Sequence, residues 1–331
     1  DPLMWFEIDQ HNRVRLYSPK VEMGQGTFTS LAQIAADELE VEVAQIEVMH
    51  APSNRGNLDQ MSTGGSMSIA GLWMPLRELA ATMREMLRAK AAEQLGVDAA
   101  NLSIEGGVVS GGGEPLTYGA IVAAAEHWEI PDAPELKELS SYRFIGEGIP
   151  RVDLEAKVYG DPIFGMDATM EGMLFASVVR PEQIGATLKG ADTTAAESMA
   201  GVVKVVVEDD FVGVIAESRM QAERAKEAVI ADWEVDHVWE TAHIDAMIAV
   251  GEGTPMEVQL QGDAEGTLNA AEGSESYHSA EYRSPIGAHA QLEPNGALVH
   301  VKDDGTAVVR MSTQVVKITR DEVAARLGIE P

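Results

Sequence analysis

Residues 21 to 29 read Val21-Glu22-Met23-Gly24-Gln25-Gly26-Thr27-Phe28-Thr29 and run straight into Leu31, Ile34, Ala35 and Leu39, apolar positions at the spacing of an amphipathic helix. The stretch predicts a glycine-flanked loop feeding a helix start. Such a junction presents unpaired backbone N–H groups and the positive end of the helix dipole, which suits a phosphate or another anion. A second junction of the same kind follows at Ser62-Thr63-Gly64-Gly65-Ser66-Met67-Ser68, ahead of apolar Ile69, Leu72, Trp73, Leu76, Leu79, Met83 and Leu87. Gly96 is placed to end that helix. Two small-residue loops bearing hydroxyls can converge on one phosphorylated ligand, because glycine lets the backbone approach closely. Each loop by itself is also the ordinary form of a tight connection.

Outward from these loops, residues 5–8, 13–21 and 46–49 read as strands, which with the two helices make an α+β unit. Residues 102–109 and 116–118 suggest a hairpin around Gly111-Gly112-Gly113, with a helix near 119–126. Proline and charge from Ile130 to Leu139 read as an extended surface connection, and a boundary is placed there. Beyond it 156–158, 173–179, 202–207 and 212–216 read as strands, and 220–231 as a helix with Asp232-Trp233-Glu234 as its exit. Residues 251–275 read as a surface linker with a short helix. Strand character returns at 281–283, 297–301 and 307–313, Asp303-Asp304-Gly305 makes a hairpin turn, and 320–327 forms a helix closed by Gly328. The chain stops three residues later and opens at Asp1-Pro2 without methionine, so a longer polypeptide is expected and no leader chooses between cytoplasm and periplasm.

The 331 residues carry 24 Lys+Arg against 54 Asp+Glu, a net charge of −30, which argues against a nucleic-acid backbone or an anionic membrane as partner. No apolar run approaches the roughly 20 residues of a membrane-spanning helix. The chain has no cysteine, so it cannot itself hold an iron–sulfur cluster or a thiolate zinc site. Its 8 histidines form no HxxH or HExxH pattern, His237 and His243 being spaced by six, and no protein-ligated metal is expected.

Taken in order, several segments resemble the molybdenum hydroxylases. They are 21–26, 63–68, Arg151-Val152-Asp153, 156–160, Phe164-Gly165-Met166-Asp167, 172–174, His289-Ala290-Gln291-Leu292-Glu293-Pro294 and Met311-Ser312-Thr313-Gln314. The likeness is to the large, molybdopterin-binding subunit of the isoquinoline 1-oxidoreductase and aldehyde dehydrogenase type, and it spans nearly the whole chain. It implies an α+β fold: a pterin-binding α/β segment (1–140), an α/β hammerhead module (141–250), then a linker and the start of a second molybdopterin-binding domain (251–331). The early position of the MGQG loop, before the hammerhead, is the order of the isoquinoline branch rather than of xanthine dehydrogenases.

By the same resemblance Met23, Gly24, Gln25, Gly26, Thr63, Gly64, Gly65, Ser66 and Ser68 sit beside a molybdopterin, in its plain or cytosine dinucleotide form. Gln314 would donate a hydrogen bond to an oxo ligand of molybdenum. The metal would be held by the pterin dithiolene. An aldehyde or N-heterocycle would be oxidised with water as oxygen source, and electrons would leave through a partner subunit carrying 2Fe-2S clusters. A GGGFG loop and a general-base glutamate, worth about 100- to 10,000-fold in rate, fall outside these residues in relatives. The remainder of the large subunit, or a second chain, must then supply them, and this chain alone should not turn over. The alternatives are a module that joins a partner without cofactor, or an enzyme using both loops for a nucleotide phosphate, although no GxGxxG or GKS/GKT element supports the latter.

Other residues read plainly. Glu293 is site-adjacent and more structural than catalytic, and His289 is expected to be a satisfied histidine under the same loop. Trp73 and Met61, Met67, Met74, Met83 and Met86 are expected to pack a core. Asp209-Asp210 reads as a solvated turn.

Overall fold

A computed structural model describes residues 1–52, 62–161, 164–208, 210–259 and 261–331. The chain divides into two compact units, residues 1–168 with 293–331, and residues 169–292.

In the first unit β1 (Phe6–Ile8) pairs antiparallel with β2 (Val14–Ser18). The next helix, α1 (Thr27–Leu39), carries the chain to β3 (Ile46–His50), which lies parallel to β2 with Val14 opposite Ile46 and Leu16 opposite Val48. A parallel pair requires such a crossover. The apolar spacing read from the sequence is the buried face of α1, where Leu31, Ile34, Ala35 and Leu39 are 0 to 2% exposed. Helix α2 (Met67–Leu95) lies across α1, burying Leu72, Leu76, Met83 and Leu87, and Gly96 ends it at φ +67.

Two short hairpins follow, β4 (Ser103–Glu105), β5 (Val108–Ser110) and β6 (Leu116–Thr117), so the expected single hairpin is a three-stranded meander whose first turn is Gly106-Gly107. Gly111 must be glycine, because at φ +123 a Cβ would stand 2.3 Å from the Asn101 carbonyl oxygen. Helix α3 (Tyr118–Ala124) opens on a fully buried tyrosine whose hydroxyl donates to the Leu39 carbonyl at 2.7 Å.

The connection expected from Ile130 to Leu139 holds no helix or strand over residues 130–138, and from residue 135 onward the chain is tied to α1 and α2. Gln33 donates to the carbonyls of Phe144 and Glu147, Asp37 accepts the N–H groups of Arg143, Phe144 and Ile145, and Glu38 accepts that of Lys137. The strand expected at 156–158 is instead helix α4 (Leu154–Tyr159), started at Asp153 and stopped by Gly160 at φ +78. Three apolar or long side chains in a row look like a strand; the flanking stop signal decides otherwise.

The second unit holds β7 (Phe175–Val179), β8 (Thr187–Asp192), α5 (Thr194–Glu197), β9 (Val202–Glu208), β10 (Phe211–Ala216), α6 (Arg219–Glu227), β11 (Ile230–Glu234), α7 (Thr241–Met247) and α8 (Ala264–Ala271). β7, β10 and β9 form one antiparallel sheet, and β11 pairs with β8. A small core of Ala196, Val214 and Ala225 joins α6 to the sheet. The helix expected to reach residue 231 ends at Glu227, and what was read as its exit is β11. No strand forms at 281–283.

The chain re-enters the first unit with the hairpin of β12 (Ala297–Val301) and β13 (Ala307–Met311), followed by α9 (Val316–Leu327), closed by Gly328 at φ +69. Among the described residues no helix is long and apolar enough to cross a membrane.

Candidate functional site

Three segments far apart in sequence meet in the first unit. Gln314 follows β13, and its main-chain carbonyl accepts the Thr63 N–H at 2.8 Å while its side-chain Nε2 donates to the Thr63 carbonyl at 2.9 Å. Ser62 and Val315 form a β-bridge beside that pair. The Thr63 hydroxyl accepts the Val21 N–H at 2.8 Å, which ties the MGQG loop to the same point. Lys20, 7% exposed, donates from Nζ to the Ser62 carbonyl at 2.7 Å. Thr63, itself 4% exposed, is therefore bonded through N–H, carbonyl and hydroxyl to two other segments. Replacing it by valine keeps the shape but orphans the half-buried Val21 N–H, and we expect Thr63→Val to cost about 1–3 kcal/mol in urea unfolding.

The α2 start is open. Gly64, Gly65 and Ser66 are exposed, Ser66 gives no side-chain cap, and the first turn contains no acid. Ser66 takes a left-handed φ of +59, uncommon for a side-chain-bearing residue. A Cβ at Gly64 would meet nothing within 4 Å.

The α1 start differs from what the sequence suggests. Three of the N–H groups there are taken: Glu22 folds back, Oε1 accepting from Gly24 at 2.8 Å and Gly26 at 3.0 Å, and Oε2 accepting from Phe28 at 3.0 Å. A carboxylate this close in sequence to a helix start satisfies the orphan donors and meets the positive end of the dipole. Gln25 closes the remaining bonds, accepting the Met23 N–H at 2.7 Å and donating to the Val21 carbonyl at 2.8 Å. Met23, Gly24 and Gln25 are exposed at the tip.

Arg151 donates to Glu22 at 3.2 Å and to the Gly24 carbonyl at 2.8 Å, and grips Asp153 through two bonds of 2.9 Å. The guanidinium of Arg151, with Lys157, holds the Asp153 carboxyl far below the usual carboxylate range, against the opposing effect of partial burial. Glu22, Ser62 and Arg151 stand in segments quoted from the sequence but carry no site role there, and Lys20 is marked only as part of a strand. The acid immediately before the glycine loop was the available signal for Glu22.

Glu293 accepts the Gly165 N–H at 3.1 Å and the Ser312 hydroxyl at 2.7 Å, so it braces the Phe164-Gly165 turn against the end of β13, two residues before Gln314. His289 is exposed rather than tucked beneath that loop. Met83 and Met86 are buried, and Trp73 packs on the core, but Met67 and Met74 are 55% and 42% exposed; Met61 and Asp209 lie outside the described residues.

Comparison with known proteins places the chain in a family. Two family models, both described as molybdopterin cofactor-binding domain, match residues 3–179 and 250–331. The chain is 31% identical over 307 residues to one of the subunits of nicotinate dehydrogenase from Pseudomonas putida, covering 89% of this chain and 26% of that protein. It is 29% identical over 323 residues to the membrane-bound aldehyde dehydrogenase [pyrroloquinoline-quinone] of Gluconacetobacter polyoxogenes, covering 92% and 41%. With the beta subunit of isoquinoline 1-oxidoreductase from Brevundimonas diminuta it shares 24% identity, covering 100% and 49%. The chain thus spans from about a quarter to about half of the length of these relatives. Residues 3–179 are more than half of the chain, and on that match it belongs to the molybdopterin cofactor-binding domain family of the molybdenum hydroxylases.

Proposed function

We propose that this chain is the pterin-holding part of a molybdenum hydroxylase large subunit that oxidises an aldehyde or an N-heterocycle, with water as oxygen source. What supports this most directly is the junction of residues 21–26, 62–66 and 314 through Thr63. Relatives named for nicotinate, aldehyde and isoquinoline favour that substrate class.

The residues present suit such a group. The open, small-residue start of α2 offers backbone N–H groups and the hydroxyls of Ser66 and Ser68 to an anion. As the resemblance implies, the dithiolene of the pterin would hold the metal, which agrees with a chain that has no cysteine. When bound, the molybdenum–pterin group supplies the two-electron oxidation. The chain's part is binding and orientation. Thr63, Gly64, Gly65, Ser66 and Ser68 line one side of the cofactor, and Met23, Gly24, Gln25 and Gly26 border it at the loop tip. Gln314 spends one amide hydrogen on Thr63 and keeps a second for an oxo group. Glu293 fixes the segment from which Gln314 projects.

We further propose that 141–250 act as an α/β hammerhead-like module between a first pterin segment (1–140) and the start of a second (251–331), a division by module rather than by packing. The cofactor in cytosine dinucleotide form, a 2Fe-2S small subunit and the remainder of the large subunit, with a GGGFG-like loop and a general-base glutamate, complete the enzyme.

Elemental analysis of the purified protein for molybdenum, with mass spectrometry for a second chain, tests this directly. Molybdenum with an associated chain that carries that loop and glutamate is expected; neither metal nor partner would overturn the proposal. Gly64→Asp, which places a negative charge at an otherwise unobstructed position of the α2 start, should lower molybdenum retained by about tenfold or more, since tenfold corresponds to only 1.4 kcal/mol.

A further inference from the structure

In the second unit the chain between β11 and α7 brings two histidines together. His237 and His243 stand six residues apart, a spacing that fits neither an HxxH pattern nor one helix face. Residues 235–240 hold no helix or strand, and across them the two imidazole rings come to 5.0 Å between centres, tilted by 47°. Trp239 packs edge-on against His237 at 4.4 Å, which limits how that ring can turn. Both histidines are exposed, and His237 makes no hydrogen bond among the described residues. His243 is the third residue of α7. Its N–H is taken by the Glu240 side chain and its Nδ1 accepts the Glu240 N–H at 3.3 Å, so Nε2 is left for another partner.

We infer that His237 and His243 form a two-histidine site for a transition-metal ion of the zinc or copper(II) class, with its other positions open to water. Zinc bonded to a ring nitrogen at about 2.0–2.1 Å stands about 3.2 Å from the ring centre, so two rings sharing one ion at about 90–109° have centres about 4.5–5.2 Å apart. The observed 5.0 Å lies inside that interval. Imidazole suits these ions, whereas hard magnesium and calcium keep to oxygen ligands. Asp236, Glu240 and Asp245 flank the pair in sequence and lend negative charge to the approach of a cation. Among the described residues no third His, Cys, Asp or Glu completes a metal group with the pair, so water takes the remaining positions. Coordination through Nε2 of His243 moves that ring's proton to Nδ1 and gives up the bond from the Glu240 N–H, a long one at 3.3 Å. The Glu240 side chain still caps the start of α7.

The test is an NMR titration of the 331-residue chain with zinc chloride, above neutral pH where imidazole is the free base, at constant ionic strength and with magnesium chloride as control. The ring protons of His237 and His243 should shift together along one saturating curve. The Glu240 amide should shift with them, because its acceptor is lost. Magnesium should leave both rings unmoved. Copper(II), followed by calorimetry, should bind the pair more tightly than zinc. His237→Gln and His243→Gln should each weaken zinc binding by about tenfold or more, the least that even an outer partner of a metal site is worth. Glutamine at 243 is itself a capping-box residue, so α7 keeps its start and the variant remains a fair test of the ligand. The double variant should lose little beyond either single one, since chelation needs both rings. Rings that shift along separate curves, equal responses to magnesium and zinc, or single variants that retain native zinc affinity would each overturn the assignment.

Discussion

Glu38→Gln should lower the free energy of unfolding by about 3–5 kcal/mol, the range for breaking one partner out of a buried ion pair. Glu38 is fully buried on α1, and Arg77 and Arg84 of α2 reach its two oxygens at 2.7 and 3.5 Å with side chains only 10% and 4% exposed. Glutamine preserves the volume and one acceptor but removes the charge. Arg84 keeps a second acid, Glu85 at 2.9 Å. The other contacts of Arg77 offer no such reserve: it donates to the Lys137 carbonyl and lies 5.3 and 5.4 Å from the ring centres of Trp73 and Tyr142, none of which carries a full negative charge. The loss should be read as a lower urea midpoint at unchanged slope. The double variant Glu38→Gln, Arg77→Met should lose less than the sum of the two single losses, because removing the stranded cation relieves the cost of stranding it. Equal and additive losses would mean that the three side chains do not act as one cluster.

The α1–α2 pair was legible because burial there follows helical spacing alone: Leu31, Ile34 and Leu39 on one helix and Leu72, Leu76, Met83 and Leu87 on the other. Both glycine stops, Gly96 and Gly328, were legible for the same local reason. What escaped depended on distant partners. β11 alternates burial but carries Asp232 and Glu234 on its exposed face, so it resembles the end of the preceding helix until β8 is set beside it. Residues 130–139 read as a charged surface connection, and residue types alone do not show how residues 135–153 are held. Their order comes from Gln33, Asp37 and Glu38, whose position on the inner side of α1 cannot be distinguished by residue type from an ordinary solvated acidic patch.

The candidate site divides in the same way. The two loops and Gln314 were found from small-residue and family signals, and the structure supplies what those signals lack, namely their junction at Thr63. At the α1 start, expected to present unpaired N–H groups, Glu22 takes three of them, because the helix dipole that attracts a phosphate attracts a neighbouring glutamate equally well. A glycine loop before a helix therefore identifies an anion nest, and the acids within a few residues decide whether a ligand is needed to fill it.

Asp37→Ala should cost about 3–4 kcal/mol and, unlike Glu38→Gln, should loosen the site as well as the core. Asp37 is 1% exposed, and its carboxylate takes the N–H of Arg143 at 2.8 Å, that of Phe144 at 3.2 Å and that of Ile145 at 2.8 Å, three successive donors on one anion. Alanine leaves those donors without an acceptor, at about 1–3 kcal/mol for each that water cannot reach. The side chains of Phe144 and Ile145 pack on the main core, so water reaches them poorly. The same strand of chain continues to Val152, whose N–H bonds to the Thr29 hydroxyl, and to Arg151, which clamps Glu22. Release at 143–145 should therefore travel along the backbone to the MGQG loop. Hydrogen exchange is expected to rise first at 143–147 and then at Gly24, Gly26 and Phe28, with the α2 core still protected. If exchange rises at 143–147 while the loop amides keep their native protection, Arg151 and Glu22 hold the loop independently of Asp37, and the chain of contacts from α1 to the site carries no mechanical coupling.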